Sequence, residues 1–307
     1  MNTGSKLLSE PGYYAGSLPD GARQPIRWPG NARIAFWVAP NLEFYELDPP
    51  RNPSRYLWSR PVPDILNYAK RDYGNRVGFQ RLAAVMHERG FPGSVSLSLA
   101  LCDHYPDIIA QCCAMGWELF SHGIYNTRYL YNMTDDQVRA VIRDCQDSLL
   151  RHTGRTLRGW LSPALSATPT TQHLLAEAGL HYTLDFYHDD QPTPIRVRSG
   201  RLVNVPYSLA VNDHPLFLMQ NVSPEEYESV LRAQFDRLYE EGADAGTVMC
   251  VPLHPYIIAQ PHRLAALVRL LDYVGGKDGV WRPTAAEIAA HYITHHYQDA
   301  IAASALS

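Results

Sequence analysis

The chain has 307 residues, 46% of them hydrophobic and 19% charged, with a formal net charge of −4. This is the composition of a soluble globular protein with a large core, and the length suits a single α/β barrel. No basic cluster offers itself to nucleic acid or to an anionic membrane, and no apolar run approaches the ~20 residues of a membrane span. The first residues, MNTGSKLLSEPGYY, lack the basic and apolar stretches of a signal peptide. Five cysteines (102, 112, 113, 145 and 250) show no zinc-type or redox spacing. They read as buried thiols of a reducing compartment, so the cytoplasm is the expected location.

Residues 1–32 are dense in Gly, Pro and Ser and without periodicity, the signature of an irregular arm. Tyr13, Tyr14 and Trp28 in this arm are expected to serve a subunit contact rather than the core. Residues 33–307 read as one domain. The first core strand is a continuous apolar run over 33–44, as in a strand covered on both faces. Residues 47–73 form a long excursion rich in Pro and Arg, including Arg51, Arg55 and Arg60, and are a candidate active-site loop. A helix is predicted over 77–90, a strand over 93–102 and a second helix over 106–116, each helix closed by glycine. The next strand is ELFSHG, 118–123, an apolar pair that stops at small residues and a histidine. Thr134 opens a helix with a capping box to Gln137 that runs to about 152. Further strands are predicted at 157–165, 182–185, 202–206 and 246–255, and helices at 168–179, 223–242, 263–274 and 283–297. Strands alternating with helices of ten to fifteen residues imply a parallel sheet closed as a barrel.

Three strand ends carry polar groups: Asn41 and Glu43, then His122 with Asn126, then His254. In such a barrel the carboxyl ends of all strands meet at one mouth, so residues far apart in the chain converge there. Histidine in that place suits acid–base work near neutral pH, and Glu43 suits orienting water or an imidazole. The structural alternative for His122 is a strand-terminal imidazole bonded to backbone. Trp160 walls the pocket or belongs to the core. Asp185, Asp189 and Asp190 bind substrate or belong to a solvated turn, with Asp189-Asp190 just before Gln191-Pro192. Tyr207, Asn212 and Asp213 follow a strand end and are candidates to reach the mouth. His104 is a secondary candidate beside another strand end.

These residues fall in a pattern that resembles the polysaccharide deacetylase, or NodB homology, superfamily over roughly residues 30 to 290. Asn41-x-Glu43 matches its first motif, normally Asp-x-Asp or Asp-Asp. His122-Gly-Ile-Tyr-Asn126 matches the second, normally His-x-x-x-His. Arg158-Gly159-Trp160 matches the third and Leu253-His254 the fifth. Within the superfamily, the segments DFYHDDQP (185–192), VPYSLAVND (205–213) and LHPYIIAQPHR (253–263) resemble the branch of cofactor-independent allantoinases and cyclic imide hydrolases. The fold implied is a distorted (β/α) barrel with about seven parallel strands.

The resemblance implies a metal site of one carboxylate and two histidines, with a second aspartate as base. Here the base position is Asn41, which cannot accept a proton, and the third ligand position is Asn126, a poor zinc donor. No metal is therefore expected; if an ion such as zinc were bound, its ligands would be Glu43, His122 and Asn126. The expected activity is hydrolysis of a small cyclic amide, ureide or imide. Glu43 and His122 position water, His254 protonates the departing nitrogen, and Asn41 and Asn126 donate to the carbonyl oxygen. Substrate-binding roles are expected for Arg158, Trp160, Asp189, Asp190, Tyr207 and Asp213. The alternatives are a metal-dependent deacetylase of an acetylated amino sugar, or a catalytically silent ligand-binding barrel. The expected partners are a small-molecule substrate and, by resemblance, three further copies in a tetramer.

Overall fold

The structure, a computed structural model, describes residues 12–13, 25–50 and 62–305, with side chains over 25–50 and 62–302. Tyr14, Arg51, Arg55 and Arg60 lie outside the described residues, as does the side chain of Tyr13. The strands are β1 (Gly12–Tyr13), β2 (Ile34–Leu42), β3 (Ser94–Leu97), β4 (Glu118–Ser121), β5 (Gly159–Trp160), β6 (Tyr182–Thr183), β7 (Thr193–Arg196), β8 (Leu202–Asn204), β9 (Thr247–Leu253) and β10 (Val280–Trp281). The helices are α1 (Ile65–Tyr73), α2 (Phe79–Glu88), α3 (Leu101–His104), α4 (Pro106–Ala114), α5 (Asp135–Thr153), α6 (Thr171–Glu177), α7 (Asp213–Leu218), α8 (Pro224–Ala245), α9 (Pro255–Ile258), α10 (Leu264–Gly275), α11 (Ala285–His295) and α12 (Tyr297–Ala305).

The strands form one curled sheet in the order β1-β7-β8-β6-β5-β4-β3-β2-β10, with β9 paired to β2. All pairings are parallel except β1–β7 and β7–β8. Each of the seven strands expected from the sequence is present in the parallel part of the sheet, and β10 joins them. The short strand β7 and the helices α1, α3, α7, α9 and α12 were not expected. The end of the excursion read over 47–73 is thus corrected to a helix, Ile65–Tyr73, and the other elements are short enough to carry little periodic signal. Among the described residues no ladder joins β9 to β8, so the barrel is distorted rather than evenly closed.

Period-two alternation sorts the strand side chains into two layers. Ile34, Phe36, Val38 and Leu42 of β2 pack outward with Phe79, Leu82 and Met86 of α2 and with Leu267 and Leu270 of α10. Ala35, Trp37 and Ala39 point the other way, into a second cluster with Phe120, Tyr182, Val203, Val248 and Cys250. This second cluster is the barrel interior. Its amino-terminal end is closed by Ile26, Trp28 and the α11 residues Ala285, Ile288 and Ala289. Trp28 is fully buried there and its Nε1–H donates to the Thr247 carbonyl at 2.9 Å. The expectation that Trp28 serves a subunit contact is thus corrected: an indole with its one donor satisfied can plug the barrel floor.

Helix ends follow their sequence signals. Thr134, Ser223 and Thr284 each close a capping box, with Gln137, Glu226 and Glu287 respectively. Of the cysteines, all free, only Cys113 is not fully buried. Among the described residues no helix is long and apolar enough to cross a membrane.

Candidate active site

The alternation that fills the interior also aims the polar residues. Counting by twos from Ala35, Trp37 and Ala39 leads to Asn41 and then Glu43. From Phe120 it leads to His122, and from Val248 and Cys250 to His254. All three strand ends therefore deliver inward-facing side chains to one rim, and Glu43, His122 and His254 are each only 6–7% exposed there. β4 can stop at this point because Gly123 takes a positive φ of 73°, which glycine adopts without strain.

His254 is clamped from one side by Asp213, at the start of α7. The imidazole Nδ1–H donates to Asp213 Oδ1 at 2.6 Å, and the backbone N–H of His254 donates to Oδ2 at 2.7 Å. Its Nε2 faces Glu43 Oε1 at 3.5 Å. Burial alone would favour the neutral ring, but the carboxylates of Asp213 and Glu43 outweigh it and raise the His254 pKa to about 9. The ring is thus an imidazolium at neutral pH. Glu43 is held on its other oxygen by Arg71, whose Nε–H donates to Oε2 at 3.0 Å. Burial would raise the Glu43 carboxyl, yet Arg71, His254 and His122 together hold it well below its ordinary range. The Glu43 backbone is fixed as well, its carbonyl accepting from Asn75 Nδ2 at 3.0 Å.

His122 is the neutral member. Its Nδ1 lies 3.1 Å from the Leu161 carbonyl, which can only accept, so Nδ1 carries the proton and Nε2 presents a lone pair. Burial lowers its pKa, reinforced by the positive charge of His254 and opposed by Glu43. Asn126 hydrogen-bonds the His122 ring and anchors its own backbone N–H on the Phe44 carbonyl at 3.1 Å. The segment between the two is a loop rather than a helical turn, and the glycine turn brings them together instead.

Several expected roles need correction. Asn41 does not offer its amide to a substrate: Nδ2 donates to the carbonyls of Ala39 at 3.1 Å and Leu253 at 3.4 Å, and Oδ1 accepts from the Tyr207 hydroxyl at 3.2 Å. It ties β2 to β9 beneath the rim, with Tyr207 as its partner rather than as a substrate group. Asp213 is not a substrate contact but the anchor of His254. Trp160 faces the outer layer, fully buried, with Nε1 on Ser162 Oγ at 3.0 Å, so the core reading is the right one. Arg158 is exposed and precedes β5, which puts it at the opposite rim. Asp189 closes a turn on the Gln191 N–H, and the Asp190 carbonyl accepts from Val248 N at the beginning of β9. That is six residues before His254, roughly 20 Å away along an extended strand. His104 stacks on Phe44, ring centroids 4.0 Å apart, beside the rim.

Residues not foreseen complete the site. Besides Arg71 there is His214, its ring 5.5 Å from that of His254. Burial, with the His254 charge adding to it, lowers the His214 pKa to about 4. The signal for His214 was its place beside Asp213; for Arg71 there was none, because residues 47–73 read as a loop and the helix that carries Arg71, Ile65–Tyr73, was not foreseen. Two cavities lie elsewhere: an open groove of about 720 Å³ against Glu228, Arg232 and Arg269, and one of about 190 Å³ between Cys102, Cys113 and His152. Neither gathers acid, base and counter-charge as the rim does, so chemistry rather than volume locates the site.

The donors do not suit a metal ion. Glu43 already gives Oε2 to a fixed guanidinium, against which a divalent cation would be repelled, and Asn126 is engaged with His122. Among the described residues no group of three or more His, Cys, Asp or Glu is arranged to hold one.

The curled, mostly parallel sheet with its polar groups gathered at one rim is the distorted barrel of NodB-type proteins. The polysaccharide deacetylase family model matches residues 68–183. Along nearly its whole length it is similar to a crystal structure described as a "probable polysaccharide deacetylase" from Pseudomonas aeruginosa PAO1, at 29% identity and TM-score 0.82 over 92% of this chain and 99% of that one. It is similar also to the crystal structure of PuuE allantoinase, at 26% identity and TM-score 0.81 over 93% of this chain and 99% of that one. A Schizosaccharomyces pombe protein described as a "putative polysaccharide deacetylase" is 23% identical over 320 residues, covering 92% of this chain and 98% of that protein.

Proposed function

We propose that the protein is a hydrolase of carbon–nitrogen bonds that opens a small cyclic amide, ureide or imide. The observation that carries this reading is the Asp213–His254–Glu43–Arg71 row. It holds an imidazolium and a carboxylate 3.5 Å apart with each locked from behind. Such a row is a proton donor beside a water-orienting anion, with neutral His122 as the nearby base. The likeness to PuuE allantoinase supports a ring amide over an acetylated sugar, and so does the poor donor set for a metal.

In the reaction, Glu43 orients a water and His122 Nε2 takes its proton as the oxygen attacks the ring carbonyl. The tetrahedral carbon carries an oxyanion in the field of the His254 cation. Collapse breaks the C–N bond, and the departing nitrogen takes the proton from His254 Nε2. The products are a ring-opened carboxylate and the freed amide nitrogen; His122 then gives its proton to solvent, and solvent returns one to His254. Imides and ureides are electrophilic enough for this to proceed without a Lewis acid. The test is a panel of succinimide, hydantoin, dihydropyrimidine and allantoin, with acetylated chitin oligomers as comparison, each assayed with and without chelator. Ring opening that survives chelation is expected. Acetate release from the oligomers with no ring opened would overturn the reading.

A further inference from the structure

We propose that Arg71 is a positioning residue whose caged guanidinium splits the Glu43 carboxylate, pinning one oxygen so that the other stays available to water. The inference rests on the hydrolytic reading above. The Arg71 side chain is 12% exposed and is enclosed on several sides. Its Nε–H donates to Glu43 Oε2 at 3.0 Å, and Nη1 donates to Asn67 Oδ1 at 3.2 Å. The guanidinium carbon lies 4.3 Å from the Tyr45 ring centroid and 4.8 Å from that of Tyr256. Asn67 is fixed in turn by Asp64, the cap of α1, through Nδ2 to Oδ2 at 2.7 Å. A planar cation with a carboxylate on its edge and aromatic rings against its faces has little freedom left. It is built into the rim rather than reaching over it.

The consequence lies in what Glu43 would otherwise do. A buried carboxylate beside an imidazolium gains most by closing on it, as Asp213 does from the other side of His254, with Oδ1 on the ring Nδ1–H and Oδ2 on the backbone N–H. A Glu43 closed as tightly on Nε2–H would hold the very proton that has to be donated and hinder its release. With Oε2 taken by Arg71, only Oε1 faces His254, at 3.5 Å, longer than a strong charge-assisted bond. The donor stays charged yet is not locked, and the oxygen that faces it can orient a water. The same guanidinium supplies the positive charge that Glu43 needs when buried.

The test is Arg71→Ala, which empties the cage, assayed with and without methylguanidinium, with Arg71→Lys as a variant that keeps the charge. Arg71→Ala should lower kcat about a hundredfold and move KM less than about threefold, since misplacing a catalytic group by about an ångström has that effect. Millimolar methylguanidinium should restore kcat saturably in Arg71→Ala, and do nothing for wild type or for Arg71→Ala/Glu43→Gln. Arg71→Lys should remain impaired, because a point charge does not reproduce the planar fork. A readout without substrate stands beside this: methylguanidinium should raise the Tm of Arg71→Ala and leave wild type unmoved. A kcat equal to wild type in Arg71→Ala, or a loss that methylguanidinium does not relieve although it raises Tm, overturns the positioning role. No Tm effect overturns the cage itself. The thermal arm is read whether or not any ring is hydrolysed, so it separates failure of this inference from failure of the hydrolytic reading.

Discussion

His254 keeps its proton up to about pH 9 because two carboxylates face a ring that burial alone would neutralise. A general acid of raised pKa works below that pKa and is lost above it. His122, lowered by burial, works as a base until the pH falls below its reduced value. The free-enzyme profile of kcat/KM should therefore be flat through neutrality and fall on an alkaline limb near pH 9. Asp213→Asn removes the larger of the two raising charges, so the limb should move to lower pH in the same assay while the circular dichroism spectrum stays native. His254→Ala should cost well over about tenfold in turnover with the fold intact, in line with the worth of a positioned proton donor. Turnover equal to wild type in that variant would remove His254 from the mechanism.

At the scale of elements, the rim is braced by the helix pair that follows the first strand. α1 runs into α2 through a π-helical turn, Gly74–Gly78, and this turn lies against the start of α9, the residues just after His254. A Cβ at Gly78 would fall inside the Pro255 carbonyl, and one at Gly74 would crowd the Tyr256 backbone. Gly78→Ala should thus lower stability by about 1–3 kcal/mol, as overpacking does, measured by urea unfolding. It should also reduce turnover by displacing His254. A variant with unaltered stability would show that the two elements are not in close contact.

The sequence reached some of these elements and not others, for physical reasons. The β2 run and the strand ends at His122 and His254 are long or sharply bounded, and their positions were legible. Which of their residues face inward was hidden, because β2 is apolar on both faces and alternation leaves no polar mark until Asn41 and Glu43. The Asn41 amide looked like a donor for substrate because its carbonyl partners belong to β2 and β9, brought together only by the register of the two strands. Asp213 is 41 positions from its partner and Arg71 is 28 from Glu43. Neither pairing has a local pattern. Motif alignment put the arginine at Arg158, whereas the cation beside Glu43 comes from α1.

At the scale of the whole molecule, the barrel is a vessel with a sealed base. Trp28 and Ile26 fill the amino-terminal end under α11, and His291 Nε2–H donates to the Arg27 carbonyl at 2.7 Å, binding the early segment to the late helix. Trp28→Ala should destabilise by about 3–5 kcal/mol, the range for emptying a large buried aromatic site, and calorimetry would register it as a lowered Tm. Activity measured well below that Tm should change little, since the indole lies at the far end from His254. Among the described residues, a base stopped by an indole leaves the rim as the way in. Whatever ring arrives and whatever acid departs must use it in turn, so the product should behave in steady-state kinetics as a competitive inhibitor of its own formation.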